Sequence, residues 1–179
     1  RQFGGPGVKP YQPPGLWVEV SLSGGRRFSR DKGEKLYRRS MYTYWKRSSP
    51  QPALMAFDTP TREKCVLQRQ RTNTPMQALV TLNDEQFVEA AREFAQRILK
   101  SEHKDFASRI DHAFELATSR PADDLRRKVL QAAHDEQLTI FKAEPDRAAK
   151  LLAVGESKRD ESLDSYEHAA WTILAGMIL

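Results

Sequence analysis

Apolar residues in the second half of the chain recur at spacings of three and four, the pattern of amphipathic helices. The faces predicted to point inward are Phe87, Ala90, Ala91, Phe94, Ala95 and Ile98; Phe106, Ile110, Ala113, Phe114 and Ala117; and Leu125, Val129, Ala132, Ala133 and Ile140. A short helix is expected over residues 146–153, ended by Gly155, and a last helix starts near Asp164. Together these elements predict a bundle of four to five helices.

Residues with helix-capping chemistry mark where these helices begin. Thr74 precedes a proline at the first helical position, and Gln77 follows Thr74 by three residues, as in a capping box. Asn83 is predicted to cap the next helix in the same way. The acids within residues 121–124 suit the positive end of a third helix, which Pro145 is predicted to end. The helical region is therefore expected from about residue 72 onward.

The first 71 residues are rich in glycine, proline and aromatic residues instead. The prolines within residues 4–15 favour an extended arm with few hydrogen bonds. Residues 16–22 predict either a short strand or one helical turn, followed by a turn at Gly24-Gly25. Tyrosine, threonine and tryptophan in residues 36–45 favour a second short strand. The predicted fold is mainly α, with an N-terminal Pro/Gly-rich extended arm and at most a short β element.

Charge divides the chain at the same place. Residues 1–71 hold 15 Lys and Arg against 5 Asp and Glu, whereas residues 72–179 hold 14 against 19. Because opposite charges attract, we expect residues 1–71 to form a basic, aromatic arm that packs on a helical bundle of residues 72–179. A length of 179 residues fits one such domain, and both ends look cut from a longer chain.

Composition excludes two classes of protein. The mean hydropathy is -0.67, and no stretch approaches the roughly 20 apolar residues that a membrane span needs. A single cysteine excludes an internal disulfide framework and a metal site built from several thiolates. Cys65 itself is predicted to be a small buried residue rather than a nucleophile.

The motifs of well-known catalytic sites are missing from the sequence. It contains no phosphate-binding loop, no dinucleotide fingerprint, no nucleophile elbow, no HExxH and no CxxCH for covalent haem. His112 and Glu115 stand three apart on a predicted helix, but no second pair with metal-ligand spacing accompanies them. We therefore expect no cofactor and no metal in this segment, and the balance of the evidence is against catalysis in it.

The richest feature is a region in which cations alternate with aromatic residues. It comprises Arg26, Arg27, Arg30, Lys35, Arg38, Arg39, Lys46 and Arg47 with Phe28, Tyr37, Tyr42, Tyr44 and Trp45. Such a region can neutralise phosphates and stack on bases, or bind another anionic ligand such as an acidic glycan. It can also pack internally or against another domain, which needs no ligand and is the interpretation we prefer.

A second cluster surrounds Asp58. Asp58 is predicted to cap the turn at Pro60, with two or three arginines bound to it by charge-assisted hydrogen bonds. The alternative is an anion or sugar site at the helix start near Pro75. The candidates for a ligand site or a structural network are Arg38, Arg39, Arg47, Asp58, Arg62, Arg69, Arg71 and Asn73.

Several strings of the sequence together resemble a known family. GGPGVKPYQPPGLW at residues 4–17, LYRRSMYTYWKR at residues 36–47 and RTNTPMQALVTLND at residues 71–84 resemble the PSD domain described from planctomycete bacteria. Shorter matches are Phe57-Asp58-Thr59-Pro60 with Arg62 and Cys65, Arg120-Pro121 and Ala169-Ala170-Trp171. The string at residues 71–84 is the most specific, and the resemblance covers essentially the whole chain.

The resemblance implies a domain of unknown function, usually at the C-terminal end of large exported proteins that also carry a cytochrome c-like domain. It implies a periplasmic or otherwise extracytoplasmic location, and any haem would belong to another part of the parent protein. The family has no agreed catalytic residues, so none can be transferred to this chain.

Two hypotheses about function follow. The first is a non-catalytic docking or scaffolding module whose partners are other domains of the same polypeptide. The second is an accessory part of an exported enzyme that acts on acidic or neutral polysaccharide or in electron transfer. Nucleic acid is not expected as a partner. A pocket where the basic side chains converge with unpaired donors would favour the second hypothesis, whereas pairing among those side chains would favour the first.

Overall fold

A computed structural model describes residues 3–20 and 27–179 of the chain. The described residues are mainly helical and contain no strand or sheet, so the predicted mainly α fold is confirmed. The chain divides into two compact units, Arg1–Val80 and Thr81–Leu179, and the division falls within a helix. The predicted turn at Gly24-Gly25, the last two residues of segment 16–22 and Arg26 lie outside the described residues.

The described residues contain eight α-helices, most of them in the second unit. In chain order they are α1 (Leu16–Glu19), α2 (Pro52–Ala56), α3 (Pro75–Asn83), α4 (Glu85–Leu99), α5 (Phe106–Thr118), α6 (Asp124–Ala143), α7 (Pro145–Leu152) and α8 (Ser165–Ile178). Helix α8 packs against α4, α5, α6 and α7, which confirms the predicted bundle of four to five helices. Among the described residues, we find no helix long and apolar enough to span a bilayer.

Aspartate side chains cap four helices of the bundle. Asp84, Asp105, Asp123 and Asp164 each accept a hydrogen bond from a backbone N–H in the first turn of the helix that follows. A short carboxylate reaches these N–H groups, and its charge suits the positive end of the helix dipole. Asn83 was predicted to cap α4, but Asp84 does so instead, one residue later.

The core of the second unit surrounds α8. Trp171 is fully buried and packs in one cluster with Ile98 of α4 and Ile110 of α5. A second cluster places Ala169 and Ala170 against apolar residues of α6 and α7. The alanines let α8 approach its neighbours closely, which explains why this helix is buried on several sides.

The predicted inward faces are only partly correct. Ala91, Ala95 and Ile98 of α4 are buried, as are Ile110 and Ala113 of α5. However, the structure exposes four residues that were predicted to point inward, namely Ala90, Ala117, Ala132 and Leu125, and Val129 is also 52% exposed.

Helix α6 shows the physical reason for these errors. Its buried residues are Leu130, His134 and Phe141, so the buried stripe is rotated from the one that passes through Leu125 and Val129. Apolar residues occur on both stripes, and their spacing fixes the period of a helix but not the face that the neighbouring helices cover. The packing of α8 therefore decides which face is buried.

In the first unit the strand predicted at residues 36–45 is wrong. Two short 3-10 helices, Gly33–Tyr37 and Ser40–Tyr42, occupy this segment. The β structure among the described residues is one isolated parallel bridge between Val8 and Thr43. Strand propensity reflects packing against a neighbouring strand, and without one the aromatic residues here pack on cations instead. Of the two alternatives for residues 16–22, the described part is helical, as α1.

The N-terminal arm makes more hydrogen bonds than its prolines suggested. The N–H of Val8 donates to the carbonyl of Tyr42, and the N–H of Tyr44 donates to the carbonyl of Val8, both at 2.8 Å. The N–H of Lys9 donates to the carboxylate of Asp31 at 2.9 Å. Val8 and Tyr11 are buried, so the arm is part of the core of the first unit.

Candidate functional site

Asp58 closes the neck of a loop in the first unit. One oxygen of its carboxylate accepts hydrogen bonds from the backbone N–H and the hydroxyl of Thr72, at 2.8 and 2.7 Å. These bonds, assisted by the charge of Arg69, hold the pKa of Asp58 below its usual range. Asp58 adopts a φ of 56°, in the left-handed region that aspartate tolerates better than most residues. Asp58 and Thr72, which stand at the two ends of the loop, are therefore held together.

The start of α3 is tied to this neck. Thr74 and Gln77 form the predicted capping box, since the N–H of each lies within hydrogen-bond distance of the other's side-chain oxygen. The amide nitrogen of Gln77 also donates to the carbonyl of Ala56 at 3.0 Å and to Asp58 at 3.4 Å. Asp58 was predicted to cap the turn at Pro60 and to bind arginines, but its hydrogen bonds in the described residues come from Thr72 and Gln77.

Three of the predicted arginines pair with other groups of the first unit. The guanidinium of Arg38 lies 4.0 Å from the ring centroid of Tyr42 and donates to the carbonyl of Gly4 at 2.5 Å. Arg62 lies 4.8 Å from the ring centroid of Trp45. Nε of Arg47 lies 3.4 Å from the carboxylate of Glu63. Cation–π contacts and an ion pair therefore account for these side chains.

The remaining candidates are exposed. Arg39, Arg69, Arg71 and Asn73 lie on the surface of the first unit, and in the part of the chain described here their side chains make no hydrogen bond or ion pair. The charge of Arg69 acts on Asp58 only at longer range. The eight candidates thus divide into a neck at Asp58, three paired arginines and four exposed residues.

The basic and aromatic region forms its own packed layer. Nζ of Lys46 lies 4.6 Å from the ring centroid of Trp17, and Nζ of Lys9 lies 5.6 Å from it. Trp17 also packs edge-on against Phe28, with 5.3 Å between the ring centroids. Arg30 stacks on the buried ring of Tyr11 at 4.6 Å. Arg30, Arg38 and Lys46 of this region lie on aromatic faces, so part of its basic and aromatic character stabilises the first unit itself.

Sequence reasoning missed a buried charged cluster in the second unit. Glu89 and Arg92 stand on the inner face of α4, and both are almost completely buried. One oxygen of Glu89 accepts the backbone N–H groups of Glu156 and Ser157, at 2.9 and 2.6 Å. Arg92 donates to the carbonyl of Leu152 at 2.8 Å and to that of Ser157 at 2.6 Å. Together they fasten the segment between α7 and α8 to α4.

Two further residues, Gln96 of α4 and Lys100 at its C-terminal end, also bind the segment between α7 and α8. The amide oxygen of Gln96 accepts the N–H of Asp160 at 2.8 Å, and Lys100 pairs with the Asp160 carboxylate at 2.5 Å. The hydrogen bond from Lys100 is the main reason why the pKa of Asp160 lies far below its usual range. Polar residues at helical spacing beside the apolar face of α4 are equally typical of a solvent-exposed face, so the sequence held no distinct signal of this buried contact.

A second buried polar group joins α6 to α8. Nε2 of His134 lies 3.3 Å from a carboxylate oxygen of Glu167, which also accepts the indole N–H of Trp171 at 2.9 Å. The ring of His134 packs against Phe106 and Trp171. Pairing with Glu167 raises the pKa of His134, and the same pairing lowers the pKa of Glu167.

The surroundings of His168 shift its pKa in the direction opposite to that of His134. Its Nε2 lies 3.2 Å from the backbone carbonyl of Arg92, to which it donates, and its Nδ1 has no partner among the described residues. A neutral ring carries no proton on that nitrogen, so protonation would leave an unpaired N–H in the core. Burial lowers the pKa of His168, and the charges of Arg92 and Arg159 lower it further.

Two concave regions lie in the second unit, and neither is lined by any of the eight candidate residues. A cavity of about 590 Å³ is bordered by α7, the segment after it and the start of α8, with Lys158, Arg159 and Tyr166 in its wall. A groove of about 420 Å³ is mostly apolar and is lined by Phe114, Leu125, Arg126, Val129, Leu130, Met177 and Ile178. Leu125, Val129 and Met177 are each at least half exposed, an uncommon degree for such side chains in one groove.

Cys65 is exposed, so the prediction that it is a small buried residue is wrong. It lies in the loop that the Asp58 neck closes, where no core surrounds it. Within residues 3–20 and 27–179, no three His, Cys, Asp or Glu side chains are grouped closely enough to hold a metal ion.

Comparison with known families gives one match. The PSD1 family, described as a protein of unknown function (DUF1553), matches residues 1–134. The match includes the whole first unit and continues into α6, so it takes in the Asp58 neck, Glu89 and Arg92. No curated protein and no solved structure matches the chain.

Proposed function

This chain belongs to the PSD1 family of proteins of unknown function, and we propose that it is a non-catalytic docking module of a larger multidomain protein. The observation that carries this proposal is the pairing of three basic side chains in the first unit. Arg38 and Arg62 lie on aromatic rings, and Arg47 lies beside a carboxylate. Side chains that are paired in this way stabilise the protein surface, and their donors are not available to bind a small ligand.

Apolar residues on the surface of the second unit support the same proposal. Leu125 is 71% exposed, and Val129 and Met177 stand beside it in the groove of α5, α6 and α8. Contiguous apolar surface of this kind is typical of sites that contact another protein surface. The proposed partners are other domains of the same polypeptide, in an extracytoplasmic compartment, as the family resemblance implies.

Cross-linking of the longer protein tests this proposal. With a lysine-reactive reagent, we expect cross-links between this chain and residues outside it, including links from Lys128 of α6, which is exposed. Substituting Leu125 by Ser should reduce those links, whereas the matched change Leu116→Ser, on an exposed residue that does not line the groove, should not. Links confined to this chain in the longer protein would contradict the docking proposal.

The second hypothesis, an accessory part of an exported enzyme, is favoured by one observation. The cavity of about 590 Å³ has the size of a small-molecule site, and cations, carboxylates and a tyrosine line it. A thermal-shift screen with acidic and neutral oligosaccharides, single-stranded nucleic acid and metal ions separates the two functions. A shift with one glycan class that persists at high salt would favour the accessory function, because specific binding stabilises the folded state.

A further inference from the structure

The loop of residues 59–71 is the most exposed segment that the structure describes, and we name it the basic loop. Its two ends meet at the neck, where Asp58 accepts both hydrogen bonds from Thr72. Every residue from 61 to 71 is exposed. A loop with joined ends and an exposed tip is a kind of surface segment that often carries function.

The charge of the basic loop is not neutralised within it. Residues 61–71 contain four cations and one acid, Glu63, which lies 3.4 Å from Arg47 outside the loop. Arg62 stacks on Trp45, which fixes the first part of the loop. Lys64 and Arg71 make no hydrogen bond or ion pair with any described residue. The tip and the returning arm of the loop therefore present positive charge to solvent.

An apolar pair stands between these cations. Leu67 is fully exposed and Val66 is 50% exposed, and both lie between Lys64 and Arg69 in the chain. A fully exposed leucine keeps all of its apolar surface in water, so contact with an apolar group of a partner is favourable. The loop thus offers one apolar contact flanked by cations on both sides.

We propose that the basic loop docks an acidic protein segment that carries an apolar side chain between its carboxylates. Charge complementarity selects the carboxylates, and Leu67 selects the apolar residue between them. An anionic membrane fits less well, because two apolar side chains give little area to insert. The four cations of the loop, one of them stacked on Trp45, also stand at the lower end of the range for polybasic membrane sites. A nucleic acid fits less well because the loop has no aromatic residue on which bases stack.

This inference rests on the proposed docking function and identifies the chemistry of a partner for the first unit. The probe is a fluorescein-labelled peptide that alternates pairs of glutamates with single leucines, measured by fluorescence anisotropy against the whole chain. A second peptide with serine in place of each leucine measures the apolar contribution. Vesicles of phosphatidylcholine with phosphatidylserine measure membrane binding in parallel.

Two pairs of variants isolate the loop. Leu67→Ser removes the apolar contact, and Leu116→Ser is its control on an exposed leucine of α5 that lines neither the loop nor the groove. The double change K64E/R71E reverses two cations of the loop, and K128E/K142E reverses two exposed cations of α6 with the same change in net charge. All of these residues are exposed, so we expect all four variants to fold and melt close to the original chain.

We expect the glutamate–leucine peptide to bind about tenfold more tightly than the glutamate–serine peptide, and Leu67→Ser to remove that difference. K64E/R71E should weaken binding by about tenfold at low salt, and added salt should shrink that loss. Equal losses in the loop and control variants, or a loss confined to Leu116→Ser, would overturn the inference. Binding to the vesicles without binding to the peptide would also overturn it.

The docking proposal and this inference fail separately. If the longer protein shows cross-links from this chain but K64E/R71E leaves them unchanged and binds the peptide normally, the basic loop is not the docking surface and the docking proposal stands. If the loop binds the peptide as expected but no cross-links leave this chain in the longer protein, the loop serves a separate partner and the proposed docking within one polypeptide is wrong.

Discussion

A β-carbon on Gly155 would lie 2.7 Å from the buried carboxylate oxygen of Glu89, closer than real side chains approach one another. Gly155 also has a φ of 90°, a conformation that residues with a β-carbon rarely adopt. The close approach allows Glu89 to reach the backbone N–H groups that follow Gly155. Glycine at this position is therefore part of the contact that fastens the segment between α7 and α8 to α4.

Gly155→Ala should lower the free energy of unfolding by about 2 kcal/mol or more, since strain at φ adds to the collision with Glu89. Gly33→Ala is the matched control, because Gly33 has a φ of 61° but nothing within 4 Å of the added carbon. The control should lose about 1 kcal/mol. Urea denaturation of both variants measures the difference, and equal losses would show that Glu89 moves aside without penalty.

Removal of the Arg92 guanidinium should be strongly destabilising. Arg92→Met leaves Glu89 and the carbonyls of Leu152 and Ser157 buried without their cation or donors. A broken buried pair of this kind costs about 3–5 kcal/mol. Arg97→Met, on the exposed side of the same helix, should change stability by less than about 0.5 kcal/mol. Comparable denaturation midpoints for the two variants would contradict the role assigned to Arg92.

His134 should make stability depend on pH above about 6.5. Its pKa is raised by pairing with Glu167, so the folded chain holds a proton that the unfolded chain releases near pH 6.5. The stabilisation is complete below that pH and is lost as the pH rises through the raised folded pKa. We expect the melting temperature to fall over this range, and the fall to be smaller in His134→Gln and in Glu167→Gln. A wild-type pH slope in both variants would refute the pairing.

His168 should make stability depend on pH in the opposite direction, with a loss at low pH. Its pKa is lowered by burial, so the folded state favours the neutral ring. Its contribution is complete above the unfolded pKa near 6.5 and is lost as the pH falls toward the lowered folded value. The melting temperature of the original chain should decline below about pH 6, and His168→Gln should decline less from this cause. The C2 proton resonance of His168 in NMR spectra should titrate at a lower pH in the folded chain than in the unfolded chain.

Asp58→Ala should lower the melting temperature without changing the binding of any ligand. The change removes the acceptor for Thr72 and places alanine at a positive φ. Asp58→Asn is the control, because asparagine keeps one oxygen acceptor and tolerates this backbone conformation. Its melting temperature should lie between those of the original chain and Asp58→Ala. An Asp58→Ala variant that melts like the original chain would show that the neck is dispensable.

Local signals in the sequence were sufficient for the helices of the second unit. Three local signals are the capping box of Thr74 and Gln77, the proline at the start of α7 and the aspartate before α8. Each acts within three or four residues, so its contacts form whatever the position of the helix in the fold. The count of helices and the mainly α fold followed directly. Only the cap of α4 was misplaced, and by one residue.

The partners of charged residues required the tertiary structure. Asp58 binds Thr72, fourteen residues away, although arginines nearer in the sequence carry the opposite charge. Distance along the chain does not show which hydrogen-bond donor the closed loop places beside Asp58. The packing of Glu89 and Arg92 against a segment more than sixty residues away was invisible for the same reason.

The sequence by itself determined the helical composition, the bundle and the helix starts, because these depend on periodicity and on contacts within one turn. Only the tertiary structure decided that Leu130 and His134, rather than Leu125 and Val129, face the core, and that residues 36–45 form 3-10 helices instead of a strand. Those outcomes depend on which neighbour covers a face or pairs with a strand. That choice is made by packing between segments distant in the sequence.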